Sequence, residues 1–196
     1  MLKILLASQN PGKLREMQFI LKDLPIQIIA PAEIGIHIQV EETGKTYAEN
    51  AALKAKAFAK ASGLISLGDD SGLEVDALDG KPGLYSARYA PSPNATDADR
   101  RAFLLKNLRP HPRPWKARFR ATIAIAHPSG EIFFTEGICE GEIIPEERGT
   151  GGFGYDPIFY LSDKGRTMAE LAEEEKNSLS HRAKALEKAK DFLLKL

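Results

Sequence analysis

The first thirty residues leave this chain few ways to fold. Leu2 to Ala7 is an apolar run too short for a helix and long enough for a buried strand. Asn10-Pro11 follows, an N-cap residue with proline at the first helical position. Leu14, Met17, Ile20, Leu21 and Leu24 then share one helical face until Pro25, and Ile26 to Ala30 reads as a second strand. Strand, helix, strand at this spacing is a crossover unit, which sets two strands parallel in one sheet. Farther on, Ala117 to Ala126 and Glu131 to Thr135 alternate around His127-Pro128-Ser129-Gly130, the pattern of a hairpin. The expected fold is α/β: a mixed, twisted central sheet with flanking helices. The central hairpins are expected to form a second lobe, with the active cleft between lobes.

The rest of the chain fills in this frame. Thr46-x-x-Glu49 is a capping box that starts an Ala-rich helix to Ala61, stopped by Gly63. Leu64 to Leu67 and Leu73 to Val75 read as strand pieces on either side of a turn, Gly68-Asp69-Asp70-Ser71-Gly72. Gly80 to Asn94 reads as a loop, and Thr96-x-x-Asp99 begins a helix ending near Leu108. Arg109 to Lys116 is a connector, Ile138 to Ile144 and Pro157 to Leu161 are strands, and Thr167-x-x-Glu170 and Ser180 begin two C-terminal helices. No repeat, low-complexity tract or linker divides residues 1–196, so one domain is expected.

Composition excludes several classes of function. Lys plus Arg and Asp plus Glu number 27 each, so no global field draws the chain to nucleic acid or a membrane. No apolar run approaches the ~20 residues of a membrane span, and the start has no cleavage pattern of a signal peptide. A soluble, cytoplasmic protein is expected. A lone cysteine, Cys139, excludes an internal disulfide, and His37, His111, His127 and His181 form no close pair for zinc.

Several stretches carry chemistry. Ala7-Ser8-Gln9-Asn10-Pro11-Gly12-Lys13 lies between a strand and a helix, where free N–H groups and the helix dipole attract phosphate. It is no P-loop, since Ala7 replaces the first glycine and Leu14 the magnesium-holding hydroxyl. An ordinary N-cap with a surface lysine explains the segment equally well. Glu41-Glu42 and Asp69-Asp70 are hard oxygen donors of the kind magnesium takes. Adjacent carboxylates repel, so one is expected to carry a raised pKa and serve as a base, although turn chemistry alone would account for them. Asn50 and Lys54 share a helix face at i, i+4, and a solvated face is the simpler reading. Gly149 to Asp156 matches G-x-G-x-x-G, but Pro157-Ile158-Phe159-Tyr160 reads as a strand, so the dinucleotide reading fails. Its glycines instead allow close approach to a planar ring on which Phe153 stacks. Lys176 and Ser180-His181-Arg182 place cations at a helix start, a mismatch with the dipole unless an acceptor is present. Residues 97–120 hold eight Lys/Arg against two Asp/Glu, and 131–147 hold six Glu and no Lys/Arg. Oppositely charged faces that pair are the simplest account; single-stranded nucleic-acid binding beside Trp115 is the rival.

In their order along the chain these motifs resemble the inosine/xanthosine triphosphate pyrophosphatase family. The likeness rests on Ala7 to Lys13, Glu41-Glu42-Thr43-Gly44, Glu49-Asn50-Ala51 with Lys54-Ala55, and Asp69-Asp70-Ser71-Gly72-Leu73. It continues through Pro82-Gly83 with Tyr85 to Tyr89, Gly149 to Pro157, and Lys176 with Ser180-His181-Arg182. The resemblance implies a homodimer and magnesium-dependent cleavage of ITP, dITP or XTP to the monophosphate and pyrophosphate. It implies Asp70 as the base for the attacking water, and Glu41 and Asp70 as metal ligands. It further implies that Ser8, Gln9, Asn10, Pro11, Gly12, Lys13, Ser71 and Lys176 contact phosphates and sugar. Phe153, Gly154, Tyr155, Asp156, His181 and Arg182 would hold the base. Donors from His181 or Arg182 aimed at the purine O6 would disfavour adenine, whose amine offers no acceptor, but not guanine. The alternative is a purine-nucleotide-binding module without hydrolysis.

Overall fold

A computed structural model describes residues 1–196. Strand β1 (Leu2–Leu6) pairs in parallel with β2 (Ile26–Ile29), Ile4 opposite Ile28, through the crossover helix α1 (Pro11–Ile20). Its other edge takes β3 (Ser66–Val75), also parallel, Leu6 opposite Leu67. Beyond β3 come β4 (Trp115–Ala126), β5 (Ile132–Ile143), β6 (Phe159–Leu161) and β7 (Arg166–Thr167), completing a seven-stranded sheet in the order β2-β1-β3-β4-β5-β6-β7. The β5–β6 and β6–β7 pairs are antiparallel, so the sheet is mixed, as expected. The helices are α2 (Tyr47–Ser62), α3 (Asp97–Leu108), α4 (Glu173–Leu179) and α5 (His181–Leu193). None is long and apolar enough to cross a membrane.

The chain forms two compact units, each with its own core. The first comprises Met1–Asp70, Ala121–Gly137 and His181–Leu196. Alternation along β1 sends Ile4 and Leu6 to one face, where they pack with Met17 and Ile20 of α1 and with Ala183, Leu186 and Ala189 of α5. Leu5 and Ala7 take the other face with Phe58 of α2. The α2 alanines Ala51, Ala55 and Ala59 pack with Ala124 and Ala126. Small residues bring this helix close: a Cβ on Gly68 would lie 2.1 Å from the Ala51 carbonyl oxygen. The second unit comprises Ser71–Arg120 and Ile138–Ser180. Its core gathers Leu73, Leu104, Leu108, Trp115, Phe119, Tyr155, Phe159 and Met168 around the buried Cys139.

Four expectations need correction. Residues 68–72 are no turn, because β3 runs unbroken through them; Gly68 serves the approach of α2 rather than a bend. Likewise β5 is continuous where a break was expected near Gly137, whose missing Cβ would lie 2.0 Å from the His181 carbonyl oxygen. The Thr167 capping box exists but launches a single 3₁₀ turn, Met168–Glu170, and α4 starts only at Glu173. Pro157 lies in another such turn, Asp156–Ile158, ahead of β6.

Candidate active site

Because β3 is a strand, its two aspartates face opposite ways, and each meets different chemistry. Asp69 is 0% exposed. It accepts hydrogen bonds from Lys13 Nζ at 2.9 Å and from Arg182 Nε, and Arg182 Nη1 donates to Glu16. Lys13 and Glu16 lie i, i+3 on α1, and Arg182 comes from the first turn of α5. Burial alone would raise the Asp69 pKa, but the charges and donors of Arg182 and Lys13 hold it well below the carboxylate range. Burial opposes the charge on Arg182 too, yet Asp69 and Glu16 keep its pKa above the ordinary value. The acceptors that a cation at the start of α5 requires are therefore carboxylates of the protein itself.

Asp70 meets α2 instead. Lys54 Nζ lies 3.1 Å from Asp70 Oδ1 and 2.7 Å from Glu42 Oε1, joining the two carboxylates. Asn50, one turn earlier on the same helix face, accepts from the Gly44 N–H at 2.8 Å and so fixes the segment that carries Glu41 and Glu42. Burial raises the Asp70 pKa, and the opposing charge of Lys54 does not fully offset it. The raised pKa was expected, but from repulsion between neighbouring aspartates; desolvation is the main cause, because the strand separates them.

The second oxygen, Asp70 Oδ2, is buried with no hydrogen-bond partner. An orphaned carboxylate oxygen is costly unless a cation, water or substrate completes it. Glu41 is exposed, and Glu42 is the acidic neighbour that shares Lys54 with Asp70. No cluster of three acidic, His or Cys side chains forms a ready-made metal cage. That fits magnesium, which takes one or two carboxylates and fills its octahedron with waters and phosphate oxygens. A metal that demands a full set of protein ligands would not fit.

The turn before α1 is already ordered. Asn10 Oδ1 caps the helix by accepting from the N–H groups of Gly12 at 2.8 Å and Lys13 at 3.2 Å, and Ser8 Oγ accepts from the Asn10 N–H. Ser8, Gln9, Asn10 and Pro11 line a cavity of about 400 Å³ with Leu14, Pro31 and His37. Pro11 and Gly12 sit in the first turn of α1, where the dipole favours an anion.

The second unit holds the remaining expected residues. Asp156 Oδ2 accepts from the Phe153 N–H at 2.9 Å and from Lys176 Nζ at 2.7 Å. Lys176 Nζ also lies 5.0 Å from the centre of the Phe153 ring, within cation–π range. Gly152 has φ of +70°, and a Cβ there would lie 2.0 Å from Asp156 Oδ2, so only glycine fits. Tyr155 is buried, and its hydroxyl donates to the Ser86 carbonyl at 2.8 Å; burial pushes its pKa up, so it anchors the loop as a neutral phenol. Ser71 follows Asp70 in β3 and is half-buried. Lys176 lies in α4, not at the start of the last helix as expected.

Four residues of this arrangement lay outside the expected site: Asp69, Glu42 and Lys54 stood in the motifs without a role of their own, and Glu16 in none. Asp69 and Glu16 form the carboxylate floor under Arg182, and Glu42 and Lys54 form the bridge to Asp70. The i, i+4 spacing of Asn50 and Lys54 was the available signal. For Glu16 there was none, because its partner is 166 positions away. Part of the basic stretch near Trp115 is paired within its unit, with Glu74 and Asp76 rather than with the acidic stretch 131–147: Arg118 and Arg120 pair with Glu74, Arg118 also with Asp76, and the indole N–H donates to the His111 carbonyl.

The sequence model of the Ham1 family matches residues 4–192. The dITP/XTP pyrophosphatase of Desulforamulus reducens is 49% identical over 196 residues, spanning 100% of this chain and 97% of that protein. That of Bacillus subtilis is 46% identical and covers 98% of each. Among solved structures, a HAM1 protein from Coxiella burnetii superposes with a TM-score of 0.89 at 46% identity, covering 100% of both chains. A nucleoside-triphosphatase / dITP/XTP pyrophosphatase from Mycobacterium abscessus gives 0.75 at 39% identity, over 98% of this chain and 100% of that one.

Proposed function

The chain belongs to the Ham1 family, and from that premise we propose that it hydrolyses non-canonical purine nucleoside triphosphates, ITP, dITP and XTP, to the monophosphate and pyrophosphate. The observation that carries the chemistry is the pair of aspartates on β3. Asp69 is saturated by cations, whereas Asp70 keeps a buried oxygen without a partner and a raised pKa. A carboxylate with a raised pKa is a stronger base, so Asp70 takes a proton from the attacking water. Water adds to phosphorus as the α–β phosphoanhydride breaks, and pyrophosphate leaves. No covalent nucleophile is needed, because phosphoryl chemistry depends chiefly on positioning and charge.

Magnesium is the proposed cofactor, held by Asp70 with Glu41 or Glu42, and it would neutralise phosphate charge and polarise the reacting phosphorus. Lys54 holds Asp70 Oδ1 toward α2 and leaves Oδ2 for the reaction. Ser8 to Lys13 are assigned to the phosphates, with the dipole of α1 behind them, and Ser71 and Lys176 to phosphate and sugar. Phe153 is assigned to the purine face, Gly154, Tyr155 and Asp156 to the loop around it, and His181 and Arg182 to the O6 edge. Arg182 is then a fixed donor rather than a mobile one, since two carboxylates hold it. Residues 1–196 act as one functional domain, as a homodimer in the cytoplasm.

The test is pyrophosphate release from ITP, dITP, XTP, ATP and GTP at fixed magnesium. Preference for the first three supports the reading. Nucleotide binding without pyrophosphate would make the protein a binding module, and equal rates for ATP would remove the selectivity.

A further inference from the structure

The loop that carries Phe153 is glycine-rich, yet Gly154 is gripped at both ends of its backbone. Asp97 Oδ2 accepts from the Gly154 N–H at 2.8 Å, and Arg101 Nη1 donates to the Gly154 carbonyl at 2.9 Å. The two side chains are i, i+4 on the first turns of α3, so one helix face reaches both groups of one residue. Each side chain is itself held. Asp97 Oδ1 accepts from Arg100, and Arg101 forms a fork with Glu147, Nε to Oε1 and Nη2 to Oε2, both at 2.9 Å. Gly154 has φ of +64°, a conformation that a free glycine chain would share with many others.

We propose that Asp97 and Arg101 are positioning residues for nucleobase recognition: a clamp on Gly154 that fixes the Phe153 ring before substrate arrives. This rests on the reading of Phe153 as the purine-stacking residue. A loop with several glycines otherwise loses conformational entropy when it orders around a ligand, and that loss weakens binding. The clamp moves this cost from binding to folding. It also uses up both backbone groups of Gly154, so the loop offers the purine a ring face, and edge reading falls to other residues. The charges support the arrangement: burial disfavours charge on Asp97, but the Arg100 and Gly154 donors keep its pKa lowered, so it is a carboxylate acceptor through the neutral range.

Two readouts test the clamp. Hydrogen exchange of the Gly154 amide in the protein without nucleotide should quicken by roughly tenfold or more in Asp97→Ala, because its acceptor is gone. In Asp97→Asn, which keeps a carbonyl acceptor, it should remain close to wild type. Kinetically, Asp97→Ala should raise KM for ITP by roughly tenfold with kcat within about twofold, and Asp97→Asn should restore KM. Arg101→Ala acts on the same residue, so the double variant should lose little beyond either single one. Unchanged exchange in Asp97→Ala, or a fall in kcat at constant KM, would each overturn the clamp. Exchange needs no substrate, so a wild-type protein that fails to hydrolyse ITP would refute the pyrophosphatase reading while exchange still decides the clamp.

Discussion

At the scale of residues, the site depends on how two buried charges are balanced. Arg182 answers both Asp69 and Glu16, so Arg182→Ala leaves two carboxylates buried without it. Breaking a buried ion pair costs about 3–5 kcal/mol. Urea denaturation should show a loss of that order, and a loss under about 1 kcal/mol would mean that Arg182 is not the hub. This changes what the variant can report: stability falls before base selectivity is read. The pH dependence has opposite signs at the two aspartates. Asp69 has its folded pKa depressed, so its stabilisation is complete above the unfolded value near 3.9 and is lost as pH falls through that value and below. Asp70 has its folded pKa raised, so its ionisation destabilises the fold as pH rises through the window between the two values. If Asp70 is the base, kcat/KM should show an acid limb that disappears in Asp70→Asn. An acid limb that persists unchanged in Asp70→Asn would contradict the assignment.

At the scale of elements, the crossover unit, the capping boxes at Thr46 and Thr96 and the hairpin at 127–130 were legible, because each is written in neighbouring residues. The continuity of β3 and β5 was not. Glycine in a run of polar residues signals a turn, and only the helix packed on the strand reveals why glycine is there. The same error hid the division of Asp69 from Asp70, since a turn would have placed both on one side. It also hid Lys54, which is a surface lysine by periodicity and a part-buried bridge once α2 lies on β3. The close approach is testable. Gly68→Ala forces Ala51 and Ala55 away from β3, which should cost about 1–3 kcal/mol and draw Lys54 from Asp70, lowering turnover. Gly63→Ala, at a helix end with nothing within 4 Å and φ of +70°, should cost only about 1 kcal/mol and leave turnover unchanged. Equal effects from the two would show that α2 packing does not set the site.

At the scale of the whole molecule, 27 basic and 27 acidic residues leave no net charge, and Arg118 and Arg120 of the basic stretch near Trp115 are paired within their own unit. Fluorescence anisotropy with a single-stranded oligonucleotide should show no binding at about 0.15 M salt; tight, salt-dependent binding would revive the nucleic-acid reading. The central claim is that one strand separates a structural aspartate from a chemical one. It is tested most directly by assaying Asp69→Asn and Asp70→Asn for ITP turnover, with the folded fraction of each preparation taken from its denaturation curve. Asp70→Asn should be at least as stable as wild type at pH 7 and lose about 10²–10⁴-fold in kcat. Asp69→Asn should lose about 3–5 kcal/mol of stability. The reverse pattern, a stable and inactive Asp69→Asn beside an unstable Asp70→Asn that still hydrolyses ITP, would contradict the account.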